Sequence, residues 1–342
     1  MIVGVTGYGY SGASAYIDVL KEFESVQSLP FEFQLVQMPD GLLDLKNGLV
    51  DSKRRLYSNA CVNRYLSCVK SRGNDNLSKS LNGKLVELSK KYIQDLVELS
   101  WEGKSNYDPE DVRANLDKDR YAFLNRVIAA LLKKINHRLV WPPLKTRYFS
   151  FLEEDVFILK TQKYIEEIFK VAGVDLTKTI ILDQVFSTSD PLSGSEYFNN
   201  DVISFIVDRD PRDVFLLTNY IYPERCCFMP NQGDVNKFIR YYKLLHYNRV
   251  DDKRIHYFSF EDLIYHYNDT IKTIENLLYK KNNERRKYFK PELSINNTQM
   301  FKKISEHYED IIKIENELED YIYDFETAAK SVDFEREEIK PF

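Results

Sequence analysis

Two short stretches of this chain carry residue types that can hold a phosphate. The first is Gly7-Tyr8-Gly9-Tyr10-Ser11-Gly12-Ala13-Ser14, which fits G-x-x-x-x-G-[K]-[ST] except that Ala13 replaces the lysine. Glycines let the backbone turn so that successive N–H groups face inward, and a following helix aims its positive end at the same spot. An anion there would be held by backbone amides and by the Ser11 and Ser14 hydroxyls. The missing lysine is the group that neutralises the outer phosphates in phosphoryl transfer, so its absence weighs against an ATPase or kinase. The spacing Gly7, Gly9, Gly12 also fits G-x-G-x-x-G, but a dinucleotide site wants an acidic residue at the end of the second strand. That run ends in Val36-Gln37-Met38, and Asp40 arrives only in the turn.

The second stretch is Phe205-Ile206-Val207-Asp208-Arg209-Asp210-Pro211-Arg212-Asp213-Val214. A buried strand delivers Arg209 at its C-terminal end, where ligands bind in open α/β sheets. Asp210 is placed to cap the next helix and Pro211 suits its first turn. A guanidinium fork matches a phosphate. Arg212 reads better as a surface cap held in a salt bridge to Asp213 or Asp208.

The elements that must position these groups are legible in the periodicity. Ile2 to Thr6 is a strand, and Ile17, Leu20 and Phe23 recur at helical spacing behind the glycine turn. Phe31 to Gln37 predicts a second strand, closed by Pro39-Asp40-Gly41. Thr179 to Leu182 and Val202 to Val207 are near-continuous apolar runs of the kind parallel strands need when both faces are covered, and Ile255 to Phe258 is a further strand. Helices are predicted around Val235 to Leu245, from Glu261 to about Leu278, and in the tail, where Ile304, Tyr308, Ile311, Leu318 and Ile322 share a face and must dock on something. The region from about 42 to 172 reads as mainly helical, with Leu81, Leu85, Leu88, Tyr92, Leu96 and Leu99 on one face. The expectation is an α/β fold with a three-layer parallel sheet. It is read as one domain over 1–342, with residues 42–172 as a helical insertion.

Composition agrees with a globular chain. Of 342 residues, 43% are hydrophobic and 30% charged, which argues against wholesale disorder. The net charge of −5 offers no field to recruit nucleic acid. Cys61, Cys68, Cys226 and Cys227 show no metal-ligand spacing. The first residues lack a signal peptide's basic and apolar regions, and no run approaches a membrane span, so a cytoplasmic location is expected. Aromatic residues are abundant, among them Tyr92, Trp101, Tyr107, Trp141 and Tyr148. Core packing is their default role, with stacking on a sugar the functional alternative.

Together these segments resemble the sulfotransferase superfamily. In that family an S-G-T-like loop binds the 5′-phosphosulfate of 3′-phosphoadenosine 5′-phosphosulfate (PAPS), and a strand leading into R-[DN]-P-[KR]-D binds its 3′-phosphate. Ser11-Gly12-Ala13-Ser14 and Arg209-Asp210-Pro211-Arg212-Asp213 stand in the matching order. Arg254 to Leu263 looks like the family's strand ending in Y-E-D-L, and Lys290 to Thr298 lies where the family closes a loop over the donor. The resemblance covers residues 1–24 and about 178–325. It implies PAPS as donor, Tyr10, Ser11, Gly12, Ala13, Ser14 and Arg209 as its contacts, and no metal.

Two positions depart from the family pattern. Tyr10 stands where Lys or Arg is usual, and Leu217 where Ser is usual, with Thr218 beside it as the substitute hydroxyl. Arg147, Lys160 or Lys178 are the candidates for the missing charge. Family members use His or Glu as the base that deprotonates the acceptor, at or after the end of a central strand. Asp183 occupies that place here and is preferred to His137, His246, His256, His266 and His307, with Asp40 in reserve. The acceptor implied is a hydroxyl of a sugar or glycoconjugate. A small-molecule kinase using ATP and a non-catalytic nucleotide-binding protein are the alternatives. All of this requires the glycine turn and Arg209 to open onto one cleft.

Overall fold

β1 (Ile2–Gly7) is buried along nearly its whole length and lies at the centre of a five-stranded sheet. The computed structural model describes residues 1–71, 76–103, 118–136, 144–223, 229–230 and 233–332. The other strands are β2 (Val26–Glu32), β5 (Thr179–Asp183), β6 (Val202–Asp208) and β7 (Ile255–Ser259), in the order β2-β5-β1-β6-β7. Every pairing is parallel, and β1 is in register with both neighbours through Val5↔Asp183 and Val5↔Phe205. Helices flank the sheet, so the α/β expectation holds. The apolar runs of β1, β5 and β6 are continuous because both faces of these strands are covered.

On one face, Val3, Val5, Phe205 and Val207 pack with Tyr16, Ile17 and Leu20 of helix α1 (Ala13–Leu20) and with Ile271 and Ile274. A second cluster joins Val214 and Phe215 of the helix Pro211–Leu216 to Phe238 and Tyr242 of the helix Val235–His246. Ile311 and Ile314 of the helix Tyr308–Glu317 complete it, so the tail does dock. Each such side chain contributes about 1.5–3 kcal/mol on burial. Tyr308 is left exposed.

The second strand departs from the expected span. Phe31, Phe33, Leu35 and Val36 are buried, as a strand core would be, yet the ladder with β5 runs from Val26 and ends at Glu32. Pro30 cannot donate to a ladder, and the register shifts between Ser28 and Glu32. Both are tolerated because β2 is an edge strand. Beyond it the Phe33 amide donates to the Asp183 carbonyl at 2.7 Å, and the chain is then held by side-chain packing and by Gln37 Nε2 donating to the Gln184 carbonyl.

The chain divides into two compact units, residues 1–37 with 173–342 and residues 38–172. The second is largely helical, with the helices Leu85–Leu96, Lys118–Ile135 and Glu154–Val171. It also contains an antiparallel strand pair that the periodicity does not show, β3 (Leu99–Gly103) with β4 (Lys145–Phe149). Leu99, expected on a helix face, is therefore an exposed strand residue, and Leu81 lies in the turn before the helix. The buried stripe is Leu85, Ser89, Tyr92, Ile93 and Leu96, with the Tyr92 ring stacked on Tyr164 at 4.3 Å.

Candidate phosphate-binding cleft

The turn after β1 takes left-handed backbone at Gly9, Tyr10 and Gly12, with φ of 91°, 53° and 85°. At Gly12 the requirement is also steric, since a Cβ would lie 2.4 Å from the Phe260 ring. Gly12 begins α1 without any side-chain cap, and the first turn carries no acidic residue. The positive end of the helix and its first amides thus remain open to an anion. The Ser11 side chain is folded beneath the turn, and its Oγ is buried without a hydrogen-bond partner. Ala13 is buried in the core, while Ser14 faces the cleft described below.

β6 ends at Asp208, and Arg209 follows directly. Asp210 caps the helix Pro211–Leu216 by accepting from the Arg212 amide at 2.9 Å, an arrangement worth about 1 kcal/mol. Pro211 sits in the first turn, as its fixed φ favours. Arg212 is fully compensated, though by other partners than Asp213 or Asp208. It pairs with Asp210 at 2.7 Å and Glu315 at 2.5 Å and lies over the Phe301 ring.

Arg209 is different. Its side chain is 8% exposed, and among the described residues no carboxylate lies within ion-pair distance of it. Nη1 donates to the Tyr10 carbonyl at 3.1 Å, Nη2 to the Asn297 carbonyl, and the guanidinium lies 4.7 Å above the Phe260 ring. Nε is buried without a partner. Two buried acids nearby feel its charge. Burial pushes Glu261 up to about 8 and Asp213 up to about 6, the charge of Asp210 raises both, and Arg209 opposes. Burial thus favours the protonated form of Glu261, while one of its oxygens accepts from the Asp210 amide at 3.0 Å.

Tyr10, Gly12, Ser14 and Arg209 line one cleft of about 480 Å³, together with Asp18, Leu217, Tyr222, Phe260, Tyr288, Phe289, Lys290 and Asn297. The glycine turn and the strand-end arginine therefore open onto the same space. Lys290 brings a second cation to it, on a residue that no motif marks beyond its place in the 290–298 stretch. The segment carrying it is fastened by Glu22, a buried carboxylate just beyond α1. Glu22 accepts from the amides of Arg286, Tyr288 and Phe289 at 3.1, 2.9 and 3.1 Å and from Asn282 Nδ2 at 3.1 Å.

A larger cavity of about 650 Å³ shares Arg209 but is lined by Asp208, Asp210, Glu261, Asp262 and Asp320. Its acidic lining disfavours an anion. Asp208 there accepts from the Tyr242 hydroxyl at 3.0 Å, His246 Nε2 at 3.1 Å and Arg249 Nη2 at 2.9 Å. Burial alone would raise its carboxyl, but His246, the Arg209 amide and the Tyr242 hydroxyl hold it below the usual range.

Other expected site residues lie elsewhere. Thr218 sits in a π-turn, Leu217–Ile221, and its buried hydroxyl donates back to the Val214 carbonyl at 2.9 Å and lies 3.2 Å from that of Phe215. Leu217, not Thr218, reaches the cleft. Asp183 ends β5 and is not among the residues lining the cleft. Burial raises it to about 6, with Glu32 adding and Lys21 opposing.

Arg147 and Lys160 lie in the second unit, where they donate to the carbonyls of Gly103 and Asp95. Lys178 precedes β5, away from the strand ends that carry the turns. Asp40 is paired with Arg64 at 3.0 Å. His246 is buried between the rings of Tyr8 and Tyr242, His256 is inside β7, His266 joins two helices and His307 stacks on Tyr220. Tyr107, His137, Trp141, Cys226 and Cys227 lie outside the described residues. No group of His, Cys, Asp and Glu that could hold a metal ion occurs among the described residues.

No protein-family model matches this chain, and no curated protein matches it. One solved structure, described as "Sulfotransferase Domain from the Curacin Biosynthetic Pathway", is similar at a TM-score of 0.36 and 12% sequence identity, covering 81% of this chain and 73% of that one.

Proposed function

We propose that this chain is a sulfotransferase that binds PAPS in the 480 Å³ cleft and moves its sulfuryl group to a hydroxyl of a sugar or glycoconjugate. The observation that carries the reading is the shared cleft of the glycine turn and Arg209, whose charge no carboxylate among the described residues pairs. In this reading the amides of the turn and the open end of α1 take the 5′-phosphosulfate, Arg209 takes the 3′-phosphate, and Lys290 supplies the charge that Tyr10 does not. The acceptor oxygen bonds to sulfur as the bond from sulfur to the phosphate oxygen breaks, and the electron pair leaves on the phosphate. The acceptor proton goes to a base. Asp183, which does not line the cleft, is assigned that role on its strand-end position, so in this reading the acceptor extends beyond the cleft to a carboxyl that burial raises to about 6. Residues 42–172 are read as an insertion into this single domain.

The test compares thermal stabilisation by adenosine 3′,5′-bisphosphate with that by ATP and Mg²⁺, since a ligand that binds only the folded state raises its stability. A shift with the bisphosphate alone, with sulfuryl transfer to a sugar panel, supports the proposal. A shift with ATP alone supports a kinase instead. A bisphosphate shift without any transfer leaves a nucleotide-binding protein. Asp183→Asn is expected to keep the shift and lose turnover at least a hundredfold, the usual scale of general-base catalysis. Full activity in that variant would remove Asp183 from the mechanism.

A further inference from the structure

We infer that the helix Lys118–Ile135 is a membrane-surface element, which lays an apolar face on a bilayer carrying anionic lipids. From residue 126 to residue 136 no side chain of this helix is buried. Val127, Leu131 and Ile135 recur at four-residue intervals and so share one face, and they are 41%, 55% and 78% exposed. Ile128 and Leu132 flank that face and are half-buried. An exposed apolar stripe about two and a half turns long is costly in water and marks a surface that something covers.

Charge identifies the cover. Lys118, Arg120, Arg126, Lys133 and Lys134 against Asp119 give the helix five positive charges and one negative, a net of +4, in a chain whose net charge is −5. Arg126 and Lys133 fall on the side opposite Val127 and Leu131, while Lys134 falls beside Val127 and Leu131, and all three cations are exposed. A basic polar face opposite an apolar one is the pattern of helices that lie in the plane of a membrane. Basic residues in the middle of the helix exclude a span, and among the described residues no helix is long and apolar enough to cross a bilayer.

The experiment is co-sedimentation of the full chain with vesicles of phosphatidylcholine alone and of phosphatidylcholine with phosphatidylserine, at low and high salt. Binding is expected only to the anionic vesicles, and it should weaken as salt rises. The double variant Leu131→Asp, Ile135→Asp should bind at least tenfold more weakly, with an unchanged melting temperature because both residues are exposed. A second variant, Lys133→Glu, Lys134→Glu, should bind about 25-fold or more weakly, since each basic residue near such a surface contributes about fivefold. Failure of the wild type to sediment with anionic vesicles overturns the inference. So does undiminished binding by either variant. A dimer by light scattering that the aspartate variant dissolves, without vesicle capture, overturns it in favour of self-association. None of these outcomes depends on nucleotide binding.

Discussion

Replacing Arg209 by Met tests the cleft most directly, because this side chain does two separable things. In the unliganded chain it donates to the carbonyls of Tyr10 and Asn297 and lies over Phe260, tying the glycine turn to the 291–299 segment. Hydrogen bonds from a charged donor are worth about 1.5–3 kcal/mol each, and a cation over an aromatic ring about 0.5–2. Against this stands the cost of burying the guanidinium with no ion-pair partner, which the methionine escapes. The net loss is expected at about 2–4 kcal/mol, or roughly 5–15 °C in melting temperature for a unit of this size. Saturating bisphosphate at a hundredfold over its Kd should add about 2.7 kcal/mol to the wild type and almost nothing to the variant. Differential scanning fluorimetry with and without ligand reads both effects. An unchanged apo melting temperature would show that Arg209 does not tie the two segments together. A bisphosphate shift that survives in the variant would show that phosphate binds elsewhere.

Three further outcomes follow from the same geometry. Glu261 has a raised folded carboxyl near 8, so the folded chain binds an extra proton between the unfolded value of about 4.5 and 8. Stability should therefore fall by up to about 1.4 kcal/mol per pH unit across that window and level off above it. Denaturant titrations of Glu261→Gln, which keeps an acceptor for the Asp210 amide, should show a flatter pH profile. Gly12→Ala should destabilise by at least about 3 kcal/mol, since it forces a Cβ into the Phe260 ring at positive φ, and chemical denaturation would measure it. Glu22→Gln places an amide donor where amide N–H groups already point. It should speed proteolysis within residues 282–289 and weaken bisphosphate binding about tenfold by calorimetry, with the sheet intact by circular dichroism.

Local chemistry made part of this molecule legible from its residues alone. Gly9, Gly12 and the buried run before them mark a strand–turn–helix because left-handed backbone and apolar periodicity are properties of neighbouring residues. Asp210 and Pro211 mark a helix start for the same reason, and both act as their types dictate. What depends on distant packing was not legible. Phe31 to Val36 has the apolar content of a strand, yet its ladder starts at Val26, because register is set by β5, some 150 residues away in the chain. Leu99 follows a helical period but pairs with Phe149 across an intervening helix.

Thr218 and Leu217 are adjacent, and only the π-turn at Leu217–Ile221 decided that the methyl groups and not the hydroxyl face the cleft. Sequence placed Arg209 at a strand end. Its burial and its carbonyl partners came from the tertiary structure, because desolvation and pairing are set by atoms that only folding brings near.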